Sequence, residues 1–218
     1  MKTMREIRDS GRMPTAEEYA AFYEAQANPR PGDGWTPSNQ HIDTNFGRTK
    51  FALEHIKPGM SVLECGTQDG GMTIHLVRAV MSGGHVTGID ISPTYIERTK
   101  EYLSSYYADV LDLHVADAAT FNTRRRYHVI VAMEIMEHVP SPRKLLRNLY
   151  GLLRKKKGVI LLTVPKDWRD DLGEHIHNFT VEDVIQIAGE ATGIRPAVWQ
   201  EGPWYFAVIE RGGTPYEP

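Results

Sequence analysis

The chain is expected to adopt an α/β fold: a mostly parallel seven-stranded sheet with helices on both faces, preceded by a short N-terminal helical appendage. Three observations carry this. From residue 60 onward, short apolar runs alternate with amphipathic stretches, the pattern of strands buried on both faces. Gly- or Pro-containing turns mark several of the breaks, as at Pro58-Gly59, after the first strand, at Ser92-Pro93 and at Glu201-Gly202-Pro203. The last two apolar runs are separated by only three residues and resemble a closing pair. A length of 218 residues, with 41% hydrophobic and 24% charged, suits one full-sized domain with enough apolar surface for a core.

In chain order, residues 15–28 read as a helix with Thr15 as N-cap and Glu18 three positions on, a capping box. PRPGDGWTP (29–37) reads as a linker, and a second helix, roughly 44–57, ends at Pro58-Gly59. We therefore divide the chain into an N-terminal cap and linker (1–43) and a ligand-binding domain (44–218). MSVLEC (60–65) is the first strand, followed by a glycine turn and a helix to about 82. HVTGID (85–90) is the second strand, and Ser92-Pro93 opens a helix reaching about 107. VLDLHV (110–115) and YHVIVAM (127–133) are strands three and four. SPRKLLRNLYGLLR (141–154) is an amphipathic helix, and GVILLTV (158–164) the fifth strand. Thr180 opens a helix to about 191, and PAVWQ and WYFAVIE form the closing pair around Glu201-Gly202-Pro203.

Composition narrows the partners. No apolar run approaches the roughly 20 residues of a membrane span, and the first residues lack the apolar segment of a secretory signal. Cys65 is the sole cysteine, so no intrachain disulfide forms and a reducing, cytoplasmic setting is expected. A net charge of −3 weighs against a nucleic-acid partner and for a small-molecule one. The basic runs 124–126 and 154–157 read as solvated faces.

In a parallel sheet the ligand lies beyond the carboxyl ends of the strands, so the chemistry is sought there. Glu64-Cys65-Gly66-Thr67-Gln68-Asp69-Gly70-Gly71 follows the first strand, and glycine lets the backbone turn sharply against a ligand. Asp90 ends the second strand, placed to accept bonds from two ribose hydroxyls, with Ile91 placed against an adenine face. Asp117, after the third strand, suits an adenine amino group, with Ala118 offering its N–H. Taken alone, Asp117 is as readily a turn cap, and Cys65 on its apolar strand is core rather than nucleophile. His75, one turn into the first domain helix, reads as packed. Dinucleotide folds need G-x-G-x-x-G, whose second glycine admits the pyrophosphate. Gln68 stands in that place and crowds a diphosphate. S-adenosylmethionine (SAM) has none and turns its methionine end to this loop. A nicotinamide oxidoreductase is further disfavoured because Tyr95 is followed by Thr99, not Lys, four positions on.

With these residues in hand, VLECGTQDGG resembles motif I (E/D-x-G-x-G-x-G) of class I SAM-dependent methyltransferases. Asp90 and Asp117-Ala118 match that family's ribose and adenine positions. AMEIMEHVPSPRKLLRNLYGLLRKKKGVILLTVP (132–165) resembles the ubiquinone-biosynthesis O-methyltransferase type. The likeness spans roughly 44–211 and departs at Gln68, which replaces the middle glycine. It implies a Rossmann-like methyltransferase fold, SAM as cofactor, and Met133 and Glu134 near the transferred methyl group.

Glu134, Glu137 and His138 fall at i, i+3 and i+4 and would share one face of a helix. With His175 or His177 from GEHIHNF (173–179) they would suit Mg²⁺ or Mn²⁺. A similar E-x-x-E-H with a later histidine is a metal site in small-RNA 2′-O-methyltransferases. His138 as a metal-free general base, and a purely structural pair, remain alternatives. Tyr19, Tyr23 and Trp35 read equally as a lid or as a hydrophobic staple. Trp168, Arg169 and Asp170 stand where related enzymes shape the acceptor pocket. The expected activity is methyl transfer to a hydroxyl of a small molecule. An RNA or DNA end as acceptor, and a catalytically inactive SAM-binding partner protein, are the competing readings.

Overall fold

A computed structural model describes residues 2–27, 42–166 and 173–217; for 42–46 and 104 it describes the backbone alone. In chain order the elements are α1 (Met4–Asp9), α2 (Ala16–Ala27), α3 (Ile42–Glu54), β1 (Ser61–Cys65), α4 (Thr73–Val80) and β2 (His85–Asp90). They continue with α5 (Pro93–Tyr107), β3 (Leu111–Val115), β4 (Val129–Met133), α6 (Pro142–Leu152), β5 (Val159–Pro165), α7 (Val181–Thr192), β6 (Ala197–Glu201) and β7 (Trp204–Glu210). The expected strands all form, in the sheet order β3-β2-β1-β4-β5-β7-β6. The first five are parallel, and β7 is antiparallel to both β5 and β6.

Period-two alternation sends side chains to two cores. Leu63, Ile130, Ile160 and Leu162 meet α1, α2, α6 and α7 on one face. Val62, Val129, Val131 and Leu161 meet α3, α4 and α5 on the other. Caps fix the helix starts: Ser92 accepts from the amide of Tyr95, Ser141 from Lys144, and Thr180 forms a capping box with Asp183. The Thr15–Glu18 box is present as well.

Two boundaries differ from expectation. Helix α3 ends at Glu54, three residues before the anticipated stop, and Tyr127 makes only an isolated bridge to Leu153 ahead of β4. Helix α1 has no counterpart in the sequence reading. Its Met4 and Ile7 are buried with Tyr19 and Phe22 in the core beneath α6 and α7, so the N-terminal segment is seated on the domain. The expected 29–37 linker, Trp35, Trp168, Arg169 and Asp170 lie outside the described residues. Among the described residues no helix is long and apolar enough to cross a membrane.

Connections leave β1 toward β2 on one side, while β4 lies on the other, making a topological switch between β1 and β4. A crevice opens at the carboxyl ends there.

Candidate active site

At that crevice the described residues line a cleft of about 1330 Å³. Single small-ligand pockets run to about 1,000 Å³, so there is room for a cofactor and an acceptor together. Glu64, Gly66, Thr67, Gln68, Asp90, Ile91, Asp117, Ala118, Met133, Glu134, His138 and His175 all line it.

The turn after β1 is shaped by backbone demands. Gly66 adopts φ +80°, and a Cβ there would lie 2.4 Å from Ile135 Cδ1. Gly70 has φ +78° with Thr99 packed against it. Gln68 has φ +44°, a left-handed conformation that glycine adopts freely and glutamine only under strain. Its amide donates to Asp90 Oδ2 (2.9 Å), while Ser92 N donates to Oδ1 (2.9 Å). Asp90 thus ties the turn after β1 to the start of α5 and still faces the cleft. Burial raises its pKa against these amide bonds. Asp117 Oδ1 accepts from Ala119 N at 2.8 Å, so it caps its turn, the alternative the sequence left open, while lining the cleft.

Glu64 is enclosed, its Oε2 accepting from Thr73 Oγ1 at 2.7 Å. Desolvation, opposed by that bond and reinforced by Asp90 and Asp69, pushes its pKa up to about 8. The folded protein therefore keeps a proton that the unfolded chain releases near 4.5. Stability of the ligand-free protein should decline as pH rises across that interval, by on the order of a few kcal/mol. Glu64→Gln should flatten the decline in urea unfolding midpoints measured from pH 5 to 8.5; equal slopes would remove Glu64 as its source.

Past β4 the structure corrects the expected helix. Residues 134–140 form turns, because Glu134 takes φ +53° and Pro140 disfavours helix in the residue before it. Glu134 is consequently split from the other two. Its Oε1 accepts from Thr163 Oγ1 (2.7 Å), and its Oε2 from Trp204 Nε1 (3.0 Å), with Arg48 Nη1 at 3.5 Å. His177 is also set apart: its Nε2 lies 3.0 Å from the Val139 carbonyl, and it stacks on Phe179. Among the described residues, the group able to hold an ion is Glu137, His138 and His175, with one ligand atom of each within 4.8 Å of the others.

The loop carrying His175 is pinned there, since the amides of Ile176 and His177 both donate to the Glu137 carbonyl (3.0 and 3.2 Å). Glu137 is wholly buried, neither carboxylate oxygen has a hydrogen-bond partner among the described residues, and His138 Nε2 lies 3.7 Å away. Burial and the nearby Glu134 charge raise its pKa well above the usual carboxylate range. An orphaned buried carboxylate beside two imidazoles fits a divalent cation.

The sequence also missed residues. Tyr23, left open between lid and staple, has its hydroxyl 2.7 Å from His138 Nδ1. Glu24 Oε2 accepts from Ser92 Oγ (2.6 Å), and Gln26 Nε2 donates to Glu174 Oε1 (2.8 Å), so α2 bridges both ends of the site. Arg48 was not singled out, although a cation three and four positions before Phe51 and Ala52, on the buried face of α3, was a legible anomaly. Trp204, first residue of a strand, gave no signal. His75, expected to be packed, is exposed at the cleft rim because its turn of α4 faces the opening. Cys65 is buried core, and burial raises its thiol pKa.

Residues 40–201 match the family described as "Methyltransferase domain". The ubiquinone biosynthesis O-methyltransferase of Coxiella burnetii is 25% identical over 148 residues, 63% of this chain and 59% of that protein. The chain thus spans about three-fifths of that relative's length. Among solved structures, a SAM-dependent methyltransferase from Aquifex aeolicus superposes with a TM-score of 0.66 at 19% identity, covering 81% of this chain and 98% of that one. The N-methyltransferase NodS from Bradyrhizobium japonicum, in complex with S-adenosyl-L-homocysteine (SAH), gives 0.65 at 20%, covering 88% and 97%. With its sheet order, its crevice at the β1/β4 switch and this match over most of its length, the chain belongs to the class I SAM-dependent methyltransferases.

Proposed function

We propose that the protein transfers the methyl group of SAM to a hydroxyl of a small molecule, with a divalent cation at Glu137, His138 and His175. The observation that carries this reading is the convergence of a buried Glu137 with the half-buried His138 and His175 beside a cleft that also presents Asp90 and Asp117. The partial likeness to an enzyme named for ubiquinone O-methylation supports it. The cation-rich runs 124–126 and 154–157 are exposed at the amino ends of β4 and β5, away from the cleft, which favours a small acceptor over a nucleic-acid end.

In this reading Asp90 accepts the ribose hydroxyls, Asp117 and the Ala118 amide take the adenine edge, and Ile91 packs on its face. The Gly66–Gly70 turn, with Thr67 and Gln68, holds the methionine tail, and Glu64 faces its ammonium. Met133 borders the sulfonium. An acceptor oxygen attacks the methyl carbon as the C–S bond electrons return to sulfur, leaving SAH, so the chain's main task is alignment. A divalent ion on these donors supplies a lower pKa for the acceptor hydroxyl; two imidazoles favour Mn²⁺ over Mg²⁺. Helix α2 of the N-terminal segment acts as a cap over the cofactor, held by Tyr23, Glu24 and Gln26. The lone thiol Cys65 suits a cytoplasmic setting.

One observation favours a second reading. If the Tyr23 hydroxyl donates to His138 Nδ1, Nε2 carries the proton toward Glu137, and Nδ1 is the basic nitrogen: it would take the Tyr23 proton as the Tyr23 oxygen takes the acceptor's, a base relay without a metal.

Isothermal titration with SAH should show one site of micromolar affinity that changes little between 50 and 300 mM salt. Absence of binding would end the methyltransferase assignment, and a steep salt dependence of acceptor binding would turn it toward nucleic acid.

A further inference from the structure

Arg48 projects from α3 into the cleft with only 15% of its side chain exposed. Its guanidinium lies over the Trp204 indole, 5.1 Å from the ring centroid. The bland reading is a structural ion pair with Glu134, and the geometry argues against it. The Nη1–Oε2 separation is 3.5 Å, against about 2.7–2.9 Å for a charge-assisted hydrogen bond. Both Glu134 oxygens are already held by Thr163 and Trp204, and Arg48 Nε is buried with no hydrogen-bond partner among the described residues. Desolvation works against the charge, yet a guanidinium remains protonated. An ion pair kept for stability alone closes up and satisfies its donors. This one holds an under-bonded cation over an indole, 5.1 Å from its ring centroid, at the wall of a large cleft.

We propose that Arg48 selects the acceptor, and that the acceptor carries a carboxylate which binds the Arg48 guanidinium. A buried guanidinium whose Nε is unpartnered among the described residues and whose fork is not closed on Glu134 offers its edge to an anion with two coplanar oxygens. The proposal rests on the methyltransferase reading and names its substrate class. The amino-acid tail of SAM is another source of the same chemistry, but topology places Arg48 on the acceptor side. It meets Glu134 after β4 and Trp204 at the start of β7, and Glu134 is itself held by Thr163 on β5, whereas the glycine turn and Asp90 follow β1 and β2. With strands about 4.8 Å apart, β7 stands three strands from β1.

The test uses the SAH-loaded full chain and two matched pairs of probes: 3,4-dihydroxybenzoate against 3,4-dihydroxybenzamide, and cinnamate against cinnamamide. Titration and saturation-transfer NMR read the affinities. The wild type should bind at least one carboxylate about tenfold tighter than its amide. Arg48→Met should erase that preference, Arg48→Lys should keep part of it, and both variants should bind SAH within about threefold of wild type. No carboxylate preference in either pair, or an undiminished one in Arg48→Met, overturns the proposal. So does a tenfold loss of SAH affinity in Arg48→Met with unchanged binding of 5′-methylthioadenosine, which lacks the tail carboxylate; that result assigns Arg48 to the cofactor. Wild type that binds no SAH would instead bring down the methyltransferase reading on which this one stands.

Discussion

Asp90→Ala is expected to weaken SAH binding at least a hundredfold and to lower the melting temperature of the ligand-free protein. The two effects have separate causes at one carboxylate. Toward the ligand, two hydroxyls donating to a charged acceptor are each worth about 1.5–3 kcal/mol, so removing both costs roughly 10²–10⁴ in affinity. Toward the protein, Oδ2 holds the Gln68 amide and Oδ1 the Ser92 amide. Each amide left unpaired at this buried position costs about 1–3 kcal/mol. For a chain of this size each kcal/mol is about 2–4 °C, so a fall of roughly 5–10 °C is expected by calorimetry. Gln68 sharpens the stability effect, because its left-handed backbone relies on that bond to offset its strain. Asp90→Asn keeps the volume but turns an amide donor toward one of the two N–H groups, so it should rescue little. SAH affinity within threefold of wild type in the alanine variant would mean that Asp90 does not touch the ribose.

The contrast between Asp90 and Arg48 shows where sequence reading stops. Asp90 was legible because its meaning is local: it ends an apolar strand, lies a fixed distance past a glycine turn, and any parallel sheet brings those ends together. The strands were legible for a related reason. Burial on both faces forces near-continuous runs such as VILLTV, and two residues between β6 and β7 leave only a hairpin. Arg48, Thr163 and Trp204 come from three elements far apart in the chain, and each is an isolated polar or aromatic residue whose partners are fixed only by packing. Tyr23 was noticed, but a tyrosine on an amphipathic helix has no spacing that separates a staple from a contact to His138.

Local signals failed at two further points. Thr3-Met4-Arg5-Glu6 is a capping box, yet α1 has only six residues and no apolar period to accompany it. At 134–138 the i, i+3, i+4 spacing suggested a helix that the chain does not make. Convergence there comes instead from a left-handed Glu134 and from the 173–177 loop pinned to the Glu137 carbonyl. The trio that could hold an ion is assembled by tertiary contacts, which bring His175 to Glu137 and His138 and set Glu134 and His177 apart.

Glu137→Gln should reduce methyl transfer by at least about a hundredfold, within the range for loss of a catalytic proton-handling group, while making the ion-free protein more heat-stable. Glu137 is wholly enclosed, its oxygens have no hydrogen-bond partners among the described residues, and Glu134 adds repulsion. Folding must keep this carboxyl protonated where the unfolded chain would ionise it, which opposes folding at neutral pH, and a side chain of the same shape that is always neutral removes the penalty. A cation would reverse the balance for wild type alone. At a hundred times its Kd, a bound ion adds about 2.7 kcal/mol, or roughly 5–10 °C in a chain of this size. Titrating Mn²⁺ into chelator-treated protein should therefore raise the melting temperature of wild type and leave that of Glu137→Gln unmoved. Excess EDTA should abolish wild-type turnover, with recovery on adding Mn²⁺. Full turnover in EDTA, with Glu137→Gln still inert, would transfer the chemistry to a metal-free relay in which Glu137 orients His138 and Tyr23 passes the acceptor's proton to its other nitrogen. An active Glu137→Gln would defeat both, because a carboxylate kept buried against its own electrostatics would then have no chemical task to explain it.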